Sequence, residues 1–204
     1  VLPDGRVEVR CPMMEMGQGA ETVLTQICAD GLQIPLEQVN WCQPETAHSP
    51  DTGPAGASRG TFIGGNSILM AIAALKGQIA ACLCVNSDTV SFSHGRVFVE
   101  EHPYSWAKIA RLLSAHGCQD AAAMYKVPDA KWDNNRCQGD AFISYVYSCH
   151  AAEVEVDTDT GQVKVLQMVG CHDAGRIINP QMAAGQVTGG MVMGIGMALT
   201  EAVE

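Results

Sequence analysis

Ala152-Glu153-Val154-Glu155-Val156-Asp157, then Thr158-Asp159-Thr160-Gly161, then Gln162-Val163-Lys164-Val165-Leu166: two runs of alternating apolar and polar residues meet across four turn formers. Alternation with period two is the pattern of a strand with one wetter face. Two such runs joined by a short Thr/Asp/Gly stretch close a β-hairpin. Glu153, Glu155 and Asp157 therefore read as solvated residues on an acidic strand face, not as a catalytic carboxylate set.

Outward from this hairpin the chain interleaves strands and helices. Downstream, the second run continues to Cys171, Asp173-Ala174-Gly175-Arg176 turns, and a glycine-punctuated helix begins at about Met182. Upstream, Val1 to Arg10 reads as a tight turn feeding a strand. A helix covers Ala20 to Leu32 with Leu24, Ile27 and Cys28 on one face, and Pro35 leads to a strand at Val39 to Gln43. Residues 44–61 form a polar Gly/Pro-rich loop, and Ser67 to Ala81 is a buried apolar helix. Arg96 to Glu100 is a strand after the His94-Gly95 turn, and Pro103 sits in the first turn of a helix running to Ala115. Residues 116–141 belong on the surface. The fold class is α+β, mixed β-sheets with helices packed on one face, expected as two units, 1–125 and 126–204. Both ends read as cuts through a larger structure.

Composition bounds the function. The chain has 204 residues, 47% of them hydrophobic, enough for a core and too apolar for a disordered chain. Its net charge of −10 argues against a general grip on nucleic acid phosphates. Polar or glycine residues interrupt each apolar stretch before about 18 residues, so no membrane span is expected. Nine cysteines without a CxxC pair fit mostly buried free thiols in a reducing, cytoplasmic setting. Cys82 and Cys84 would share one face of a strand. Cys149-His150, Cys171-His172 and the scattered histidines lack metal-ligand spacing, so no metal-binding residue is assigned.

Two segments can carry chemistry. Residues 51–66 are a run of tiny side chains with Ser58 and Arg59, which lets backbone approach a ligand closely. Ser58 and its neighbouring amides can cradle a phosphate and Arg59 can grip it bidentately, unless the segment is simply a solvated loop. It is no Walker loop, since no Gly-Lys-Ser/Thr follows. The second signal is an echo. Gly17-Gln18-Gly19 and Gly185-Gln186-Val187-Thr188-Gly189-Gly190 each put glycine and a long amide at a helix start. Open N–H groups there would favour an anion even on an acidic chain. The two are expected to converge on one ligand.

Four stretches together carry a family resemblance: Met14-Glu15-Met16-Gly17-Gln18-Gly19; Thr52-Gly53-Pro54-Ala55-Gly56-Ala57-Ser58-Arg59; the Ala152–Asp157 strand with its Thr160-Gly161 turn; and His172-Asp173-Ala174-Gly175-Arg176-Ile177-Ile178-Asn179-Pro180 running into Gly185–Gly190. Their order and spacing resemble the molybdenum-cofactor-binding region of the large subunit of molybdenum hydroxylases, the xanthine dehydrogenase and aldehyde oxidoreductase family. The resemblance implies that fold and a pyranopterin cofactor carrying molybdenum. The cofactor would lie along Met16, Gly17, Gln18, Gly19, Ala55, Gly56, Ala57, Ser58, Arg59, Gly60 and Gln186. An arginine at 59 resembles bacterial aldehyde oxidoreductases, which implies the cytosine dinucleotide form.

The implied chemistry oxidises an aldehyde or N-heteroaromatic substrate with oxygen from water. Iron–sulfur clusters and FAD on partner domains or subunits would remove the electrons. The family's catalytic glutamate follows a Gly-x-Gly stretch that nothing here matches, so no catalytic residue is assigned. The remainder of the molybdenum subunit is the implied partner, and the chain alone is expected to be inactive. The alternative is a non-catalytic cofactor-binding or assembly module that keeps the fold.

Overall fold

The computed structural model describes all residues except 48, 50–55, 57–58, 119, 130, 143 and 203–204. It is α+β, with small mixed sheets and helices packed on one face, and it divides into two compact units, Val1–Val127 and Pro128–Glu204. The first unit opens with a crossover. Strand β1 (Val7–Arg10) pairs in parallel with β2 (Val39–Cys42), and helix α1 (Ala20–Leu32) connects them. Val7 and Val9 alternate into the core, and α1 buries Leu24, Cys28 and Leu32 on one face, so period two meets period 3.6 over a shared interior.

Helix α2 (Gly65–Leu83) packs on α1 through glycines. A Cβ on Gly31 would stand 2.7 Å from Ile72 Cδ1, and one on Gly65 would stand 2.9 Å from Ile27 Cδ1. An antiparallel meander, β3 (Val90–Ser93), β4 (Arg96–Val99) and β5 (His102–Tyr104), leads to helix α3 (Trp106–Ala115). Ile79, Val90, Val97, Ile109 and Leu113 complete this core. Trp106 stacks on Phe92 with ring centroids 5.4 Å apart.

The second unit holds a short hairpin, β6 (Lys131–Asp133) with β7 (Gln138–Asp140). It also holds the long hairpin, β8 (Tyr147–Val156) with β9 (Val163–Asp173), and helix α4 (Pro180–Thr200). Glu153 faces Gln167 and Glu155 faces Lys164, so the acidic residues share one face. α4 packs on β9, where Gly170 leaves room for Met191 and Val187. No α4 residue is buried, and Val154, Val156 and Val163 are 48%, 51% and 40% exposed, so the hairpin is wet on both faces.

Five sequence expectations are corrected. Helix α3 starts at Trp106, not at Pro103. Residues 102–104 pair with β4, and Ser105 caps the helix by accepting from Lys108 N–H. Helix α4 starts at Pro180, because the Asn179 side chain accepts from Met182 N–H and proline suits the first helical position. The cysteines are free, yet only Cys11 and Cys28 are buried, and Cys84, Cys137, Cys149 and Cys171 are exposed. Cys82 lies in α2 and Cys84 is its left-handed cap, so the pair is not on a strand. Finally, Arg59–Leu83 and Pro180–Thr200 are long and apolar enough to cross a membrane, with mean hydropathies of 1.5 and 1.3. Isoleucine, leucine, valine, alanine and methionine outweigh the interrupting residues. Helices packed inside water-soluble proteins meet the same criterion, and α2 packs on α1 and α3.

Gly5 holds the opening turn against α3. Its φ is +91°, and a Cβ there would lie 2.7 Å from Ala107 N and 3.2 Å from the Trp106 carbonyl carbon. The neighbour is backbone, which cannot swing aside. Gly5→Ala is therefore expected to destabilise the first unit by about 2–4 kcal/mol, combining left-handed strain with overpacking. Urea unfolding followed by Trp fluorescence measures it, and a change below about 0.5 kcal/mol, the size of an ordinary surface substitution, contradicts the close contact.

Candidate functional site

The turn between β1 and α1 is built around one carboxylate. Glu15 Oε1 accepts from Gly17 N–H at 2.7 Å and Gly19 N–H at 3.0 Å, and Oε2 accepts from Glu21 N–H at 3.0 Å. Gly17 and Gly19 have φ of +99° and +84°, where glycine alone is unstrained. Desolvation pushes the Glu15 carboxyl up, but the N–H groups of Glu21, Gly19 and Gly17 outweigh it and hold the pKa below the ordinary glutamate value. The sequence reading left these helix-start amides open to an outside anion. In the structure Glu15 already fills them.

Gln18 is folded onto its own turn. Its Nε2 donates to Met14 O and its Oε1 accepts from Met16 N–H, both at 2.6 Å. A primary amide has two N–H donors and two acceptor lone pairs, so one of each remains for a ligand edge. Around it the surface is bare. Met16 is 72% exposed, and among the described residues no atom lies within 4 Å of where a Gly17 Cβ would stand. Gln43 Nε2 donates to Glu21 Oε2 at 3.1 Å, tying the end of β2 to the start of α1.

The second candidate segment is described only in part. Ala55, Ala57 and Ser58 lie outside the described residues, so the phosphate-cradle reading of the loop does too. Half-buried Arg59 opens a π-helical turn, Arg59–Gly64, that runs straight into α2, and its N–H donates to Gly56 O at 3.2 Å. Among the described residues, a Cβ on Gly56 or Gly60 would meet nothing within 4 Å. These glycines, like Gly17, present open backbone.

Gln186 belongs to the second unit, exposed on α4. Because α4 starts at Pro180, Gln186 sits nearly two turns inside the helix, not at its N-terminus. The echo with Gly17-Gln18-Gly19 is therefore one of residue type, not of local geometry: one amide is in a turn, the other on a helix wall. Gly185, Gly189 and Gly190 leave that wall without side chains.

Sequence reasoning missed Glu15, whose role rests on left-handed glycines that bend the turn back around it. It also missed a histidine pair. His150 and His172, 22 residues apart, bring their Nε2 atoms to 2.6 Å across the β8–β9 hairpin. Among the described residues no group of three His, Cys, Asp or Glu is arranged to hold a metal ion.

Comparison with known proteins follows this geometry. A family model described as a molybdopterin cofactor-binding domain matches residues 1–204. The chain is 31% identical over 206 residues to the 6-hydroxypseudooxynicotine dehydrogenase complex subunit gamma of Paenarthrobacter nicotinovorans, covering 97% of this chain and 25% of that protein. It is 33% identical over 203 residues to xanthine dehydrogenase 1 of Arabidopsis thaliana, covering 98% of this chain and 14% of that one. Among solved structures, the aldehyde oxidoreductase of Desulfovibrio desulfuricans superposes with a TM-score of 0.79 at 27% identity, over 100% of this chain and 20% of that chain. Quinoline 2-oxidoreductase of Pseudomonas putida 86 gives 0.73 at 26%, over 96% of this chain and 25% of that one. The chain thus spans a quarter or less of these relatives.

The Glu15 turn has a pH signature. Its folded pKa is lowered, so its contribution is fully present above the unfolded glutamate value and is lost as pH falls through the folded one. Glu15→Gln is expected to cost about 0.5–2 kcal/mol near neutral pH, the range of a lost helix cap. Urea midpoints for the two proteins should converge as the pH drops through the carboxylate range. A gap that stays constant down to strongly acidic pH contradicts the assignment.

Proposed function

The chain belongs to the molybdopterin cofactor-binding domain family, and from that premise we propose that it supplies one wall of a molybdenum–pterin site in a larger hydroxylase. The observation that carries this reading is the bare turn at Gly17, with an amide beside it that still offers one donor and one acceptor. A flat heterocycle with alternating donors and acceptors on its edge needs such a surface. The residues present fit the group in this respect, and the start of α1 does not fit its phosphate end, since Glu15 occupies those amides.

Each residue then has a task. Gln18 reads a pterin edge with its free N–H and lone pair, while its other two bonds keep the side chain from turning. Gly17, Gly56 and Gly60 let the group lie against backbone, and Met16 covers it from water. Arg59 takes the phosphate end, which in this reading is the cytosine dinucleotide form. Gly19 carries the turn into α1. Bound there, the cofactor supplies oxidation of an aldehyde or N-heteroaromatic carbon with oxygen from water.

The remaining machinery is assigned to partners: the rest of the molybdenum subunit, and domains or subunits with iron–sulfur clusters and FAD. This follows the relatives, one named as subunit gamma of a dehydrogenase complex and another, from Escherichia coli, as an aldehyde oxidoreductase molybdenum-binding subunit. A non-catalytic cofactor-binding or assembly module that keeps the fold is the second reading.

Two measurements test the proposal. In the full-length polypeptide, Gln18→Ala and Arg59→Ala should each lower molybdenum and pterin content while turnover per retained molybdenum stays near normal. Loss of a hydrogen bond to a charged phosphate, about 1.5–3 kcal/mol, sets the expected scale for Arg59. Unchanged occupancy in both variants overturns the site. The isolated 204-residue chain should turn over neither aldehydes nor N-heterocycles with a dye acceptor. Stoichiometric molybdenum with multiple turnovers would overturn the assignment of the catalytic base to another segment.

A further inference from the structure

The two Cys-His dipeptides sit on neighbouring strands of one hairpin, and their register separates the cysteines from the histidines. Cys149 is directly opposite Cys171, and His150 is directly opposite Gly170. The missing Cβ of Gly170 points at Met191 and Val187 of α4 and at His150 Nε2, so Gly170 and His150 face the helix. Adjacent strand residues point to opposite faces. Cys149 and Cys171 therefore project together from the face away from α4, and both are exposed free thiols.

Directly opposed residues in an antiparallel pair have Cα atoms about 4.5–5.5 Å apart, inside the window of about 4.4–6.8 Å that a disulfide requires. The pairing is not what the turn alone would give. From Val156↔Val163 to Val154↔Val165 the strands zip in simple register, which would set Cys149 opposite Gly170. A one-residue bulge between Glu153/Val154 and their partners, which leaves Leu166 unpaired, moves Cys171 into place. The other exposed cysteines, Cys84 and Cys137, have no cysteine across a strand pairing.

We propose that Cys149 and Cys171 form an oxidation site, converted by a low-molecular-weight disulfide such as oxidised glutathione into a cross-strand disulfide. The thiolate of one cysteine attacks oxidised glutathione. A mixed disulfide forms and one glutathione thiolate leaves. The second cysteine's thiolate then attacks the protein sulfur of that mixed disulfide, the cross-strand bond forms, and a second glutathione leaves. Two electrons pass from the protein to glutathione, and the two thiol protons end on the two glutathione thiols. The bond pins the end of β9 two residues before it leaves the hairpin at Asp173 for the segment leading to α4. It thereby fixes the base of the element that carries Gln186. The chemistry itself does not depend on the cofactor reading.

The test treats the 204-residue chain with oxidised glutathione, quenches with acid, and counts thiols in denaturant. The titre should fall by two from nine, the mass should fall by two hydrogens, and dithiothreitol should reverse both. Trypsin cuts at Lys164 and Arg176, so a bond between the 137–164 and 165–176 peptides should appear, with tandem fragmentation placing it on Cys149 and not on Cys137. In Cys149→Ser, Cys171 should instead stop at the mixed glutathione disulfide. No loss of thiols, a bond from Cys171 to Cys137, or wild-type protein that stays glutathionylated would each overturn the proposal.

Discussion

Three backbone N–H groups converge on the Glu15 carboxylate, and the shape of the turn between β1 and α1 depends on that convergence. The groups belong to the turn and first residues of α1, which would otherwise need water or an anion. Holding them internally lets Gly17 and Gly19 keep left-handed backbone, and leaves Gln18 beside open backbone at Gly17. An acidic residue thus does in the protein what an external anion would do at an open helix start.

The two units differ in how they are stabilised. The first has a continuous core in which Leu24, Leu32, Ile79, Val90, Val97, Ile109 and Leu113 are fully buried. Helices α1 and α2 meet closely because Gly31 and Gly65 have no Cβ. The second has a long hairpin and a long helix with no buried residue in α4. Val192, Met193 and Met197 are 61%, 68% and 56% exposed.

Elements with strong local signals were legible in sequence. Helix α1 follows from apolar spacing with glycines at its N-terminal edge, and the β8–β9 hairpin follows from alternation around a Thr-Gly turn. The family was legible as well, because it resides in four ordered motifs that need no fold to be recognised. Errors arose where two local rules competed. Pro103 satisfies a helix start and an edge strand equally, and pairing with β4 decided for the strand. Pro180 looked like a turn residue until Asn179 proved to be the cap.

What the sequence determined by itself was therefore the local alphabet: which stretches are strands or helices, which glycines leave backbone bare, and which family the motifs belong to. The tertiary structure alone decided how those pieces face each other. Glu15 reaches its amides only because left-handed glycines fold the turn back. Gln18 and Gln186 share a motif but stand in different backbone settings. His150 meets His172, and Cys149 meets Cys171, because one bulged residue shifts the strand register. Side chains alternate along a strand with period two, so a single inserted residue exchanges faces and partners for everything beyond it. No count of spacings along the chain contains that shift.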